Sequence, residues 1–233
     1  MEFNRMRSFH VVCALVAYFL SVNAQNTTAG STTDPDLNTT RCTNFCAGTN
    51  ATNSTDLFIC GDPRLGPVQL PTALPLDGIV GGESTYHRFG GVCPGEFLAQ
   101  WTNATTGSFV YPPFEGYTLT TSGQPGILNI SLSVGTLLDR FGSEYGSYTS
   151  PAGLPYAQRS LPPPNLNAPP GGMYPYNYQV YIVTRTFKVQ AGPIAAWFGQ
   201  QGLGLQFLMP SSVRDLVDTG YLTRLNQTAD PLW

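Results

Sequence analysis

Beyond its first 24 residues the chain offers one histidine, His87, one lysine, Lys188, and four glutamates, Glu83, Glu96, Glu115 and Glu144. Histidine-activated nucleophiles, multi-histidine metal sites and lysine Schiff bases need residues that such a set does not supply. Any reaction performed here must therefore require little proton transfer, and His87 reads as structural. With 11 Lys plus Arg against 14 Asp plus Glu and no basic cluster, the chain has no field to follow a nucleic-acid backbone, so no nucleic-acid partner is expected. An anionic small ligand would be met by individually placed arginines, whose planar donors suit phosphate oxygens.

The elements that must position such residues begin after an export signal. Arg5, Arg7 and His10 precede an apolar run from Val11 to Leu20, and Val22-Asn23-Ala24 supplies small residues for cleavage, so residues 1–24 read as a signal peptide. The run is too short to span a bilayer, and nothing later is apolar enough, so no membrane span is expected. Sequons at Asn26, Asn38, Asn50, Asn53, Asn103, Asn129 and Asn226 suit an exported glycoprotein. Residues 25–41, rich in Thr, Asn and Ser, read as a solvated, glycosylated leader without a packed core. Cys42, Cys46, Cys60 and Cys93 remain once Cys13 is removed with the signal, which suits two disulfides in an oxidising compartment. Pairing neighbours only four apart would close a very small loop, so Cys42 and Cys46 are each expected to reach forward to Cys60 or Cys93.

Few charges and abundant Gly, Pro, Tyr and Thr favour strands and turns. The expected fold is α+β but β-dominated, a central twisted antiparallel sheet with few short helices beside a smaller disulfide-stapled N-terminal lobe over residues 42–126. A helix is expected from Pro94, with Phe97, Leu98 and Trp101 on one side. Ile127 to Val134 reads as a strand leading into a short helical segment around Thr136 to Arg140. The proline-rich stretch 149–175 reads as a long extended surface segment carrying Arg159. Tyr176 to Gln190 and Leu203 to Leu208 read as strands. Ser212 and Asp215 cap a final helix that Gly220 closes, and residues 226–233 form a tail.

The series Leu138-Asp139-Arg140-Phe141-Gly142-Ser143-Glu144-Tyr145-Gly146-Ser147-Tyr148, Arg159-Ser160-Leu161-Pro162, Tyr178-Gln179-Val180 and Ala196-Trp197-Phe198-Gly199-Gln200-Gln201-Gly202-Leu203-Gly204-Leu205-Gln206-Phe207 resembles the tuberculosis necrotizing toxin domain. On this basis residues 127–225 are expected to form a catalytic domain of that kind. Upstream, Cys60-Gly61-Asp62-Pro63-Arg64-Leu65-Gly66-Pro67 and Tyr86-His87-Arg88-Phe89-Gly90 are similar to secreted fungal members found on conidial surfaces, which are NAD glycohydrolases. The bacterial toxin has a histidine near the start of its long strand, where this chain reads Tyr174-Pro175-Tyr176-Asn177-Tyr178.

The resemblance implies hydrolysis of the nicotinamide–ribose bond of NAD, and of NADP, with neither required as a cofactor. It further implies a secreted or spore-surface homodimer, in some fungal members with a structural calcium ion. By matching positions, Arg140 and Arg159 are the family's phosphate-binding arginines and Gln206 its catalytic glutamine. Phe141 and Tyr148 are candidates to flank nicotinamide and ribose, with Ser160 as a donor. Nicotinamide leaves a cationic precursor as a neutral molecule, so the cleavage needs no general acid, which fits a chain without catalytic histidine. Two rivals stand beside this reading. ADP-ribosyl transfer or cyclisation would use the same cleavage, and a non-catalytic glycan-binding surface module would use none of it.

Overall fold

A computed structural model describes residues 34–81, 86–168 and 175–226. The signal peptide and the Asn26 sequon lie outside these residues. Seven strands form one antiparallel sheet: β1 (Leu128–Leu132), β2 (Leu137–Phe141), β3 (Tyr148–Pro151), β4 (Tyr178–Val183), β5 (Phe187–Pro193), β6 (Leu205–Leu208) and β7 (Leu222–Arg224). Their order across the sheet is β1-β5-β6-β3-β2-β4-β7. Consecutive strands β4 and β5 are separated by Thr184-Arg185-Thr186 yet do not pair, so the expected strand from Tyr176 to Gln190 breaks into two.

Side chains alternate across a strand, and the pairing register extends that alternation over the sheet. One face collects Leu132, Leu138, Tyr181, Val183, Val189, Ala191, Phe207 and Leu222 into a buried cluster. Helix α3 (Val213–Asp218) closes this cluster with Val213 and Leu216. Its start is fixed by the Ser212 hydroxyl, which accepts the Asp215 N–H at 3.1 Å, and Gly220 turns the chain away at φ +75°.

The segment expected to be helical around Thr136 to Arg140 is instead β2. It is hydrogen-bonded to β4 from Leu137–Ile182 through Phe141–Tyr178, which makes it a central strand. The adjacent leucines point to opposite faces: Leu138 is fully buried and Leu137 is 37% exposed. Tertiary pairing overrides the local pattern here.

The proline-rich stretch is likewise corrected. Tyr156 and Leu166 are fully buried, and Ala157, Arg159 and Ser160 nearly so, in short 3-10 turns lying against the sheet. Proline offers no N–H, so a segment rich in it can be buried with few backbone donors left to satisfy. These turns pack with Phe141, Tyr178 and Val180 and with Leu76, Ile79 and Val80. The last three lie on α1 (Leu76–Val80), from the N-terminal part of the chain.

The disulfides join Cys42 to Cys93 and Cys46 to Cys60. They brace a third cluster in which Ile59, Leu65, Phe89, Phe97 and Leu98 surround Phe198, a residue contributed from beyond the β5 end. Phe97 and Leu98 come from α2 (Pro94–Trp101), the helix expected there. The stapled segment thus closes its core only with help from the sheet domain. The end of the leader is also packed. Asp36 is buried with its carboxylate accepting the Phe89 N–H at 2.6 Å, and Asp34 pairs with the fully buried Arg88 at 2.9 Å. A buried guanidinium needs a carboxylate, and the leader supplies it.

Closing a longer loop removes more entropy from the unfolded chain, and the two bridges span 51 and 14 residues of sequence. Replacing Cys42 and Cys93 by Ser should cost about 4 kcal/mol, and replacing Cys46 and Cys60 about 3 kcal/mol. Denaturant unfolding of the two variants checks both the sizes and their order.

Candidate active site

The site arises where two neighbouring strands part. Strands β2 and β3 pair only at Leu138–Pro151 and Asp139–Ser150, while β2 continues along β4 and β3 along β6. The backbone of Arg140 and Phe141 is therefore unpaired on its β3 side, and a cleft opens there. Its lining includes Arg140, Phe141, Tyr148, Arg159 and Gln206, five of the six residues singled out from the sequence. Ser160 is not among them. Its hydroxyl donates to the Ala195 carbonyl at 2.7 Å.

Arg140 occupies the gap. Its Nε donates to the Ser143 carbonyl at 2.7 Å and its Nη1 to the Tyr148 carbonyl at 2.6 Å. Room for this exists because residue 146 is glycine: a Cβ there would lie 2.0 Å from the Arg140 Nη2. Arg41, Arg64, Arg88, Arg159, Arg214 and Arg224 each pair with a carboxylate. Among the described residues Arg140 has no such ion pair, and burial pulls its pKa below the ordinary arginine value despite opposing contributions from Tyr181, Tyr111 and Glu144. A desolvated guanidinium with a donor to spare is a site that an anion would stabilise.

Arg159 is placed differently from the expectation of a free phosphate-binding arginine. Its Nη1 and Nη2 form a bidentate pair with Asp139 at 2.5 and 2.8 Å, and its Nε and Nη2 donate to the Leu154 carbonyl at 2.9 and 2.6 Å. Four of the five guanidinium hydrogens are used, and the charge is neutralised by Asp139. Asp139 also accepts the Tyr178 hydroxyl and the Gly153 N–H, each at 2.9 Å. Above this pair Phe141 forms the cleft floor. It is 2% exposed, packed edge-on to Tyr156 at 5.0 Å with the Arg159 guanidinium against its ring face at 5.1 Å, so the ring is fixed in place.

Gln206 enters from β6. Its Nε2 donates to the Glu115 carbonyl at 2.8 Å, which commits the amide nitrogen and leaves the amide oxygen as the uncommitted end. Tyr148 donates its hydroxyl to the Glu115 carboxylate, and burial followed by this contact pushes the phenol well above its usual range. The Thr149 hydroxyl is buried at the cleft without a hydrogen-bond partner among the described residues. Glu115, Asp139 and Thr149 were not singled out from the sequence. The scarcity of glutamate was a usable signal for Glu115. The strand alternation that sends Arg140 to one face and Asp139 to the other was a signal for Asp139.

His87 is exposed, and its carbonyl accepts from Gln200, in keeping with a structural role. Among the described residues no three His, Cys, Asp or Glu side chains gather as a metal cage. No helix among the described residues is long and apolar enough to cross a membrane.

The tuberculosis necrotizing toxin family matches residues 131–225. Over 185 residues the chain is 52% identical to the conidial surface nicotinamide adenine dinucleotide glycohydrolase nadA of Aspergillus fumigatus, covering 78% of this chain and 76% of that protein. Among solved structures, the tuberculosis necrotizing toxin complexed with its immunity factor IFT is similar at 22% identity and a TM-score of 0.37, over 50% of this chain and 63% of that one. Tse6 in complex with Tsi6 is similar at 16% identity and a TM-score of 0.31, over 43% of this chain and 72% of that one.

Breaking a buried pair leaves one charge without compensation, at a cost of about 3–5 kcal/mol. Asp139→Ala should therefore lose stability of that order, and the double variant Asp139→Leu/Arg159→Met should lose less than Asp139→Ala alone. Thermal unfolding of the two variants beside the parent is the measurement.

Proposed function

The chain belongs to the family of the conidial surface NAD glycohydrolase and carries a tuberculosis necrotizing toxin domain, and from that premise we propose that it hydrolyses NAD to nicotinamide and ADP-ribose. The observation that carries the reading is the half-buried Arg140 guanidinium, without a carboxylate partner among the described residues, in the same cleft as the Gln206 amide.

The bond that breaks joins the ribose C1′ to the pyridinium nitrogen. Its electron pair returns to that nitrogen, nicotinamide leaves neutral, and the cationic ribosyl carbon takes the oxygen of water, whose proton passes to solvent. The protein must hold the substrate, stabilise positive charge at the ribose and admit water. Arg140 binds the pyrophosphate through its remaining Nη2 donors. The Gln206 oxygen faces the developing cation or orients the water. Arg159 offers its one unused N–H from the cleft wall and keeps Phe141 level as the floor for nicotinamide and ribose. Tyr148 and Thr149 are placed to meet ribose hydroxyls.

NADP is a second substrate in this reading. The chain acts outside the cell, at the cell or spore surface, after loss of residues 1–24. Asn38, Asn50, Asn53, Asn103, Asn129 and Asn226 are all exposed, which supports glycans at these sites, and the active form is a homodimer.

Gln206→Ala should lower kcat about 100-fold or more, as removal of a group that stabilises transition-state charge does. Arg140→Ala should lower kcat/KM roughly 10- to 100-fold, mainly through KM, because phosphate binding persists from ground state to transition state. Chromatography of NAD digests by the secreted protein reads both effects. Intact dinucleotide after long incubation, equal cleavage without Gln206, or a cyclic or protein-linked product would overturn the assignment.

A further inference from the structure

Glu115 lies in a 3-10 turn, Phe114–Gly116, that precedes the toxin-family match at residues 131–225 yet contacts two side chains that line the cleft, Tyr148 and Gln206. Phe114 and Glu115 both sit at φ +55°, a left-handed backbone that non-glycine residues adopt only at a cost. Strain of this kind persists where the surroundings over-determine it, and here they do. The Ala195 N–H donates to the Gly116 carbonyl at 2.8 Å, and the Thr118 N–H to the Pro193 carbonyl at 2.8 Å. Tyr117, 1% exposed, adds its hydroxyl to the Gln190 carbonyl at 3.2 Å. The turn is thereby sewn to the end of β5, beside Gln206 on β6.

Held in this way, one residue meets two side chains of the cleft. The Glu115 carbonyl accepts the Gln206 Nε2 at 2.8 Å, and its carboxylate accepts the Tyr148 hydroxyl. A primary amide has an oxygen end that attracts a developing cation and a nitrogen end that repels it, and the two ends occupy nearly the same space. Which end faces the ribose is decided by where the nitrogen finds an acceptor.

Building on the hydrolase reading, we propose that Glu115 is a positioning residue for NAD cleavage. Its carbonyl turns the Gln206 oxygen toward the cleft. Its carboxylate, through Tyr148, pins the turn that carries that carbonyl. The segment before the toxin-family match thus completes the site.

The experiment measures kcat, KM and Tm for full-length Glu115→Ala, Glu115→Gln, Glu115→Gly, Tyr148→Phe and Glu115→Ala/Tyr148→Phe beside the parent and Gln206→Ala. Glu115→Ala should lower kcat about 10- to 100-fold with KM within about threefold, since a turned amide is felt mainly in the transition state. Glu115→Gln keeps an acceptor for Tyr148 and should restore most of kcat. The double variant should be no slower than Tyr148→Phe alone, because that change already removes the contact with Glu115. Glu115→Gly tolerates the left-handed backbone and keeps the test open if the alanine variant fails to fold. Glu115→Ala or Glu115→Gly within about twofold of the parent kcat, while Gln206→Ala is inactive, overturns the positioning role and leaves the hydrolase standing. Multiplicative losses in the double variant overturn it too. A parent that leaves NAD intact overturns the hydrolase reading itself.

Discussion

Asp139 and Arg140 are neighbours on one strand, so their side chains leave opposite faces of the sheet, and the two fates that follow organise the molecule around the cleft. Asp139 turns to the face covered by the 150s and 160s, where Arg159, Tyr178 and the Gly153 N–H satisfy it completely. This buried anion draws the proline-rich turns under the sheet and levels Phe141 above Arg159. Arg140, one residue on, is given carbonyl oxygens but no carboxylate, and it stands where β2 and β3 separate. One cation is thereby neutralised by a carboxylate and the next, among the described residues, is not.

The same division of labour explains how a chain with so few ionisable groups can host a demanding bond cleavage. The leaving group brings its own positive charge, so the protein does not need to deliver a proton. It needs fixed dipoles, and it fixes them with backbone. The Gln206 amide is oriented by the Glu115 carbonyl, and Arg140 by two carbonyls. Ser160 and the Gly202-Leu203-Gly204 turn knit the floor to the strip that leads into β6. The Gly202 and Leu203 N–H groups donate to Ala157 and Ile194, and that of Gly204 to Gln158. Glycine is needed at 204, where a Cβ would lie 2.6 Å from the Gln158 carbonyl oxygen.

Much of this was legible in the residues. The β-dominated class, the helix at Pro94, the capped helix at Ser212, the pairing of early with later cysteines and the gathering of Arg140, Arg159 and Gln206 all follow from pattern or resemblance. What escaped was set by long-range partners. Leu137-Leu138 looked helical because the two strands that flank it are remote in sequence. Arg159 looked free because its carboxylate lies 20 residues earlier. Glu115 was visible as a rare residue, but nothing local said that a strained turn would carry it to Gln206, 91 residues on. The leader looked unstructured because the buried guanidinium that claims Asp34 sits 54 residues away.

Phe198 has a further meaning for how the chain is made. The aromatic bed formed by Phe97, Trp101, Phe109 and Tyr111 closes only when that ring arrives, and α1 waits in the same way for Phe141 and Tyr178. During synthesis the half that emerges first therefore has nowhere to bury its greasy side chains until the half that emerges last is present, and the intervening wait is long in contact-order terms. The two bridges, both closed before residue 94, hold that early segment together until its partner segment is translated.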